Sequence, residues 1–223
     1  MRVISSLLAL ESSTTSARIT WFSRRAPDRV EGCILHRPQT RLLPPARLAR
    51  MLEVISVRRY READRPHIRT LHDRVLPPWH KGPEPPGWFT DLERIEECYL
   101  AFWVAVEPRG DGEVLVGMVG ADLPGTDVPP GLTEGRTSVA HLSRMRIAPE
   151  CRRQGVGALL CRTLIDWAVG NELEAVVTHT PSNNPPARSL YRKVGFAEVG
   201  TTVVGPAELM WFDLPLQGEV RNL

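Results

Sequence analysis

The chain has 223 residues, 42% of them hydrophobic and 24% charged, with a formal net charge of +2. That length and balance suit one sizeable core, and they exclude a collagen-like, coiled-coil or wholly disordered chain. No stretch reaches the roughly 18 apolar residues of a membrane span, so an integral membrane protein is not expected.

The four cysteines, Cys33, Cys98, Cys151 and Cys161, are scattered and form no C-x-x-C pair. They suggest neither a disulfide framework nor a zinc site, and they fit a reducing, cytoplasmic setting. Residues 1–50 hold nine arginines against Glu11, Asp28 and Glu31, a net of +6. The rest, with 19 basic and 23 acidic residues, is net −4. Lys81 and Lys193 are the two lysines, and such an arginine bias beside many Pro and Ala points to a GC-rich bacterial genome.

Residues 1–50 show no sustained period of 2 or 3.6. Four readings compete for them. A signal peptide needs a longer apolar core than Val3 to Leu10 and a small-residue cleavage site. An organelle transit peptide fits the Arg and Ser richness but not the bacterial character of the rest. A basic arm for nucleic acid lacks a Lys/Arg run and interleaved aromatics. The expected answer is a disordered basic extension, or an upstream start with Met51 as the true one.

From Met51 the pattern becomes regular, and residues 52–216 read as one domain with 217–223 as a tail. Val54 to Tyr60 reads as a strand. Asp64-Arg65-Pro66 starts a helix carrying Ile68, Leu71, Val75 and Leu76 at helical spacing. The Pro-rich run from Pro77 to Gly87 is neither regular helix nor central strand. Thr90-Asp91-Leu92-Glu93 has the form of a capping box opening a short second helix. Strands follow at Tyr99 to Val106 and Val114 to Leu123, joined by a hairpin signal at Pro108 to Gly112. After a Gly/Pro loop, Val139 to Ile147 is a strand. Gly155 to Val169 is an amphipathic helix with Val156, Leu159, Leu160, Leu164 and Trp167/Ala168 on one stripe. Ala175 to Thr180, Pro186 to Val194, Glu198 to Val204 and Glu208 to Leu214 then read as strand, helix, strand and strand. The result is a mixed α/β domain without internal repeat.

The chemistry concentrates where the strand ending at Pro149 meets the turn Cys151-Arg152-Arg153-Gln154-Gly155-Val156-Gly157-Ala158 and a helix begins. Glycines let backbone N–H groups approach an anion, and a helix start adds unpaired donors with about half a positive charge. A pyrophosphate is the natural guest. Leu160 replaces the third glycine of G-x-G-x-x-G, and no G-x-x-x-x-G-K-[ST] exists, so neither a dinucleotide fold nor an ATP-binding loop is expected.

Arg152-Arg153-Gln154-Gly155-Val156-Gly157 resembles the Q/R-x-x-G-x-G/A loop of the GCN5-related N-acetyltransferases. About forty residues on, Asn184 to Phe196 is similar to that family's N-x-x-A-x-x-L-Y-x-x-x-G-F element. The two occur in order, at the family's separation, over a resemblance spanning about residues 52–216. It implies a largely antiparallel sheet with a splayed central strand pair, flanked by helices. It also implies acetyl-coenzyme A as co-substrate and an amine acceptor attacking directly in a ternary complex.

By the same resemblance, Met145, Arg146 and Ile147 would offer backbone groups to the pantetheine arm like an added strand. Arg152, Arg153, Gln154, Gly155, Val156, Gly157 and Ala158 would hold the pyrophosphate, and Asn184 would contact cofactor. Tyr191 stands where the family places the acid that meets the departing thiolate. Each has a plainer alternative: Tyr191 as a packing residue, Asn184 as a helix cap, Gly195-Phe196 as a helix stop, and Arg152 and Arg153 as solvated surface. The base is open between His141 and His179, with Asp122 and Glu134 as outside candidates. The family sometimes carries a glutamate at the position of His179, so this chain departs from it there. His67, His72 and His80 have no metal-binding spacing, and no metal is expected.

The acceptor is scarcely written in the sequence. The Pro77–Gly87 run with Trp79 and Trp88 is either an acceptor wall or an inert connector. The chain is expected to act as a monomer or homodimer, with no nucleic-acid or membrane partner. Two further functions compete with the enzyme: a catalytically inactive acyl-coenzyme A sensor, and a nucleic-acid binder using the basic arm.

Overall fold

The computed structural model describes residues 20–21, 55–75, 90–126, 128–205 and 207–216. Leu76, the Pro77–Gly87 run and the 217–223 tail lie outside the described residues, as do residues 1–50 apart from Thr20 and Trp21.

Among the described residues eight strands form one sheet, in the order β1 (Thr20–Trp21), β7 (Ala197–Val204), β8 (Ala207–Pro215), β6 (Ala175–Pro181), β5 (Val139–Ile147), β4 (Gly112–Asp122), β3 (Ala101–Arg109) and β2 (Ser56–Arg59). The two-residue β1 (Thr20–Trp21) pairs at one edge with Thr201 and Gly200 of β7 (Ala197–Val204). At the other edge β2 (Ser56–Arg59) pairs with β3 (Ala101–Arg109). Residues 101–106 of β3 form an unbroken apolar run, every one of them buried, as expected of a strand covered on both faces. β3 turns into β4 (Gly112–Asp122) through Gly110-Asp111, where Gly110 takes φ +61°. A glycine at the first central position of a two-residue turn matches the twist of the strands, so pairing extends further into the hairpin than the sequence pattern indicated.

Helix α1 (Arg65–Val75) follows a one-turn 3-10 segment, Glu62–Asp64. The Asp64 carboxylate accepts the Arg61 backbone N–H at 2.8 Å and both Arg58 guanidinium nitrogens at 2.7 and 2.9 Å. That pairing holds its acid form well below the usual carboxylate range, with Arg58 the largest cause. The helix start predicted at Asp64 is therefore anchored to β2. Ile68, Leu71 and His72 are the buried positions of α1.

The predicted capping box gives one turn, α2 (Thr90–Glu93), which breaks at Arg94 and resumes as α3 (Ile95–Cys98). Thr90 already lies within the helix. A single turn α4 (Pro130–Thr133) interrupts the segment read as plain loop, and Leu132 covers a small cluster with Val139, Ala175, Val177 and Trp211.

β5 (Val139–Ile147) leads through a 3-10 turn, Pro149–Cys151, to α5 (Val156–Gly170). On α5 the buried stripe is Val156, Gly157, Leu160, Cys161, Leu164 and Ala168, so Cys161 takes the place expected for the half-buried Leu159. β6 (Ala175–Pro181), α6 (Pro185–Lys193), β7 and β8 (Ala207–Pro215) complete the chain.

Among the described strands every neighbouring pair is antiparallel except β5 and β6. The helices divide between the two faces. α5 packs where Trp103 meets Trp167 and where Gly157 meets Ile147, and α6 joins it through Leu190. His72 of α1 lies instead beside Arg144 and Arg146, on the opposite face. Among the described residues no helix is long and apolar enough to cross a membrane.

Candidate active site

The parallel pairing of β5 with β6 stops at Leu142↔Thr178. Beyond it β5 runs on to Ile147 paired only with β4, and β6 runs on to Pro181 paired only with β8. The two central strands thus part into a cleft whose walls are free backbone edges. The parting coincides with a bulge. Three steps of β5, from Ser143 to Arg146, oppose two steps of β4, from Gly120 to Met118, and Arg144 has φ +51°. An extra residue bends a strand and re-aims the side chains after it.

The bulge is held by charge. Both oxygens of Asp91 accept from the Arg144 guanidinium at 2.8 Å, and Tyr99 also donates to Asp91. Short helix α2 is thereby tied to the strand that opens the cleft.

Of the backbone groups expected along the cleft, the Met145 carbonyl accepts from the Arg146 side chain at 3.0 Å and the Ile147 carbonyl from Arg152 at 3.2 Å. Each carbonyl keeps a second lone pair for another donor. At the end of β5, Arg153 and Gly155 both take positive φ, 59° and 88°. Gln154 folds back to donate to the Glu150 carbonyl at 2.7 Å, fixing the turn. A Cβ on Gly155 would meet nothing within 4 Å, so its backbone faces open space. A Cβ on Gly157 would sit 2.8 Å from Ile147 Cδ1, so that glycine lets helix and strand close together. The first α5 hydrogen bond runs from the Leu159 N–H to the Gly155 carbonyl at 3.0 Å. The N–H groups of Val156, Gly157 and Ala158 therefore have no acceptor within the helix. This end of α5 fits a pyrophosphate in both shape and polarity.

The two candidate bases come together. His141 Nε2 lies 3.3 Å from His179 Nδ1, with the rings 10° from parallel. His141 Nδ1 lies 3.2 Å from Asp122 Oδ1, without the alignment of a hydrogen bond. Trp211 packs against His179, ring centroids 4.6 Å apart. His141 is buried and His179 half-buried at the mouth of the cleft. Glu134, the other outside candidate, follows α4, and among the described residues it forms no side-chain hydrogen bond or ion pair with this pair.

Tyr191 approaches from the α5/α6 face. It is buried against Phe196 and Phe212 and lies near Thr178, the last β6 residue paired with β5. Burial raises its pKa, so the phenol keeps its proton. Asn184 caps α6, accepting the Ala187 N–H at 3.4 Å while donating to Thr180 at 3.0 Å. Its amide spans strand and helix and so sets the position of Tyr191.

Sequence reasoning missed the charged cluster on the α1 face, made of His72, Asp91, Arg144 and Arg146. Burial and the neighbouring Arg146 and Arg144 lower the His72 pKa to about 3. Burial first, then Arg144, also lower that of Arg146, whose Nε is shielded from solvent without a hydrogen-bond partner. The pattern Arg-x-Arg near the end of β5 was the available signal. Among the described residues no group of His, Cys, Asp or Glu could hold a metal ion.

A mixed sheet whose one parallel pair splays above a helix-start anion site defines the class of coenzyme A-dependent acyl-transfer folds. The model of the Acetyltransferase (GNAT) family matches residues 65–196, and the chain belongs to that family. It is 36% identical over 116 residues to human N-acetyltransferase 8, covering 50% of this chain and 47% of that protein. It is 33% identical over 118 residues to the N-acetylaspartate synthetase of Danio rerio, covering 51% and 37%. The chain thus spans less than half the length of these relatives. Among solved structures, Arabidopsis thaliana NAA60 in complex with acetyl-CoA superposes with a TM-score of 0.59 at 18% identity, covering 74% of this chain and 99% of that one. A Staphylococcus aureus GNAT-family acetyltransferase superposes with a TM-score of 0.56 at 16% identity, covering 73% and 99%.

Proposed function

We propose that the protein transfers an acetyl group from acetyl-coenzyme A to a primary amine by direct attack in a ternary complex. The observation that carries the reading is the parting of β5 from β6 directly before the Arg152–Ala158 turn. One continuous groove then joins an unpaired strand edge, for the pantetheine amides, to a helix start, for the pyrophosphate. Family membership supports it, as does a relative whose name makes it an N-acetylaspartate synthetase.

In the reaction the amine nitrogen bonds to the thioester carbonyl carbon, the C–S bond breaks, and the amine loses one proton while the thiolate gains one. The amine must be neutral to attack, against an ordinary pKa of about 10.4 for an alkylamine. His179 is the base. A negative Asp122 beside His141 Nδ1 favours the proton on that nitrogen, which leaves His141 Nε2 to accept from His179 Nδ1–H. His179 Nε2 then carries the lone pair that takes the acceptor's proton. His141 and Asp122 are positioning residues for that tautomer. Backbone N–H groups of the Ser143–Ile147 edge stabilise the developing oxyanion. Tyr191, protonated before the reaction, gives that proton to the departing thiolate.

The test is titration of acetyl-coenzyme A into the full chain by calorimetry, with Gly155→Glu beside it. Saturable binding that disappears in the variant is the expected result. A folded wild type that binds no acetyl-coenzyme A overturns the reading.

A further inference from the structure

We infer that Arg146 is the anchor for a carboxylate on the acceptor, so that the amine acetylated belongs to an amino acid or a similar amino-carboxylate. The inference rests on the acetyltransferase reading above and names its substrate class.

The placement of Arg146 comes from the bulge. In a regular strand, residues five apart point to opposite faces. β4 is regular here, so Met118 and Asp122 share a face, and they are paired with Arg146 and His141 respectively. The extra residue in β5 therefore brings Arg146 onto the face of the His141–His179 pair. The two positions are about 13 Å apart along the strand, four rises of about 3.3 Å. A span of that length on one face suits a small molecule.

Its charge is the second observation. Nη1 donates to the Met145 carbonyl, while Nε is shielded from solvent and makes no hydrogen bond. Among the described residues no carboxylate forms an ion pair with it. The nearby Asp91 is occupied by Arg144 and Tyr99. A largely desolvated guanidinium without a counter-charge is costly for a fold, and arginine is the side chain best shaped to hold a carboxylate through paired N–H donors.

The two anionic groups of the cofactor can be set aside on geometry. The pyrophosphate loop opens α5 on the opposite face, where Gly157 meets Ile147, and the ribose 3′-phosphate lies beyond the pyrophosphate, farther still from the thioester. The pantetheine arm and the acetyl group carry no charge. The acceptor is the component left to supply one. A peptide N-terminus, whose first carboxyl is an amide, would leave Arg146 unpaired.

The experiment measures thiol release from acetyl-coenzyme A by the full chain with each L-amino acid beside its own amide. Arg146→Met and Arg146→Lys follow on the best pair, and acetyl-coenzyme A affinity is measured separately by calorimetry. Free acids should exceed amides by roughly ten- to a hundredfold in kcat/KM, the range of a charge-assisted hydrogen bond. Arg146→Met should erase that preference and Arg146→Lys should keep part of it, with acetyl-coenzyme A binding still saturable in both because that strand edge uses the backbone of residue 146. Amides or peptides used as well as free acids would overturn the inference. So would an Arg146→Met loss equal for acid and amide, which would mark a role in the transition state instead. Acetyl-coenzyme A binding with no amino acid acetylated also counts against it while sparing the cofactor reading. Absence of acetyl-coenzyme A binding removes both.

Discussion

His72 is 0% exposed on α1, and its surroundings make the fold sensitive to mild acid. Burial is the main cause, and the Arg146 and Arg144 guanidiniums add to it against the weaker pull of Asp91. The pKa falls from 6.5 to about 3. Between those values the unfolded chain binds a proton that the native protein refuses, so stability falls as pH falls. At pH 5 an unfolded histidine is almost wholly protonated and the native one almost not at all, a factor of about 30 or about 2 kcal/mol. That is a sizeable share of a typical domain stability of about 5–15 kcal/mol. Urea unfolding at pH 7.5, 6 and 5 and constant ionic strength, on wild type and His72→Met, measures it. The other histidines and the carboxylates are common to both proteins, so the difference between the two slopes belongs to His72. Wild type should lose about 2 kcal/mol more than the variant between pH 7.5 and 5. Equal losses would refute the buried, cation-flanked account of this histidine.

Tyr191→Phe should lower kcat by roughly 10²–10⁴ if the phenol meets the thiolate, with acetyl-coenzyme A affinity little changed. A variant within twofold of wild type removes Tyr191 from the chemistry. His179→Ala should cost a similar roughly 10²–10⁴ and recover in part with added imidazole, whereas His141→Ala should cost less, because it orients rather than accepts. The reverse order would make His141 the base.

Much of the architecture could be read in one dimension. The apolar run of β3, the stripe on α5, and the Asp64 and Asn184 helix starts are decided by residues within a turn or two of one another. So is the turn that ends in Gly155, since positive φ and a helix start are local properties. The prediction of two motifs on one cleft depended on their order and separation along the chain, and both could be counted.

The tertiary structure decided what lies across that cleft. His141 and His179 were two separate candidates until parallel pairing through Leu142↔Thr178 brought His141 Nε2 to 3.3 Å from His179 Nδ1. Asp122 joined them only because β4 is the neighbour on the other side. Strand alternation read from the sequence would have put His141 and Arg146 on opposite faces. One bulged residue, Arg144, held by an aspartate 53 positions earlier, reverses that parity. Local residue preference has no access to such a choice, because the energy that makes it comes from a pairing register and an ion pair between distant segments.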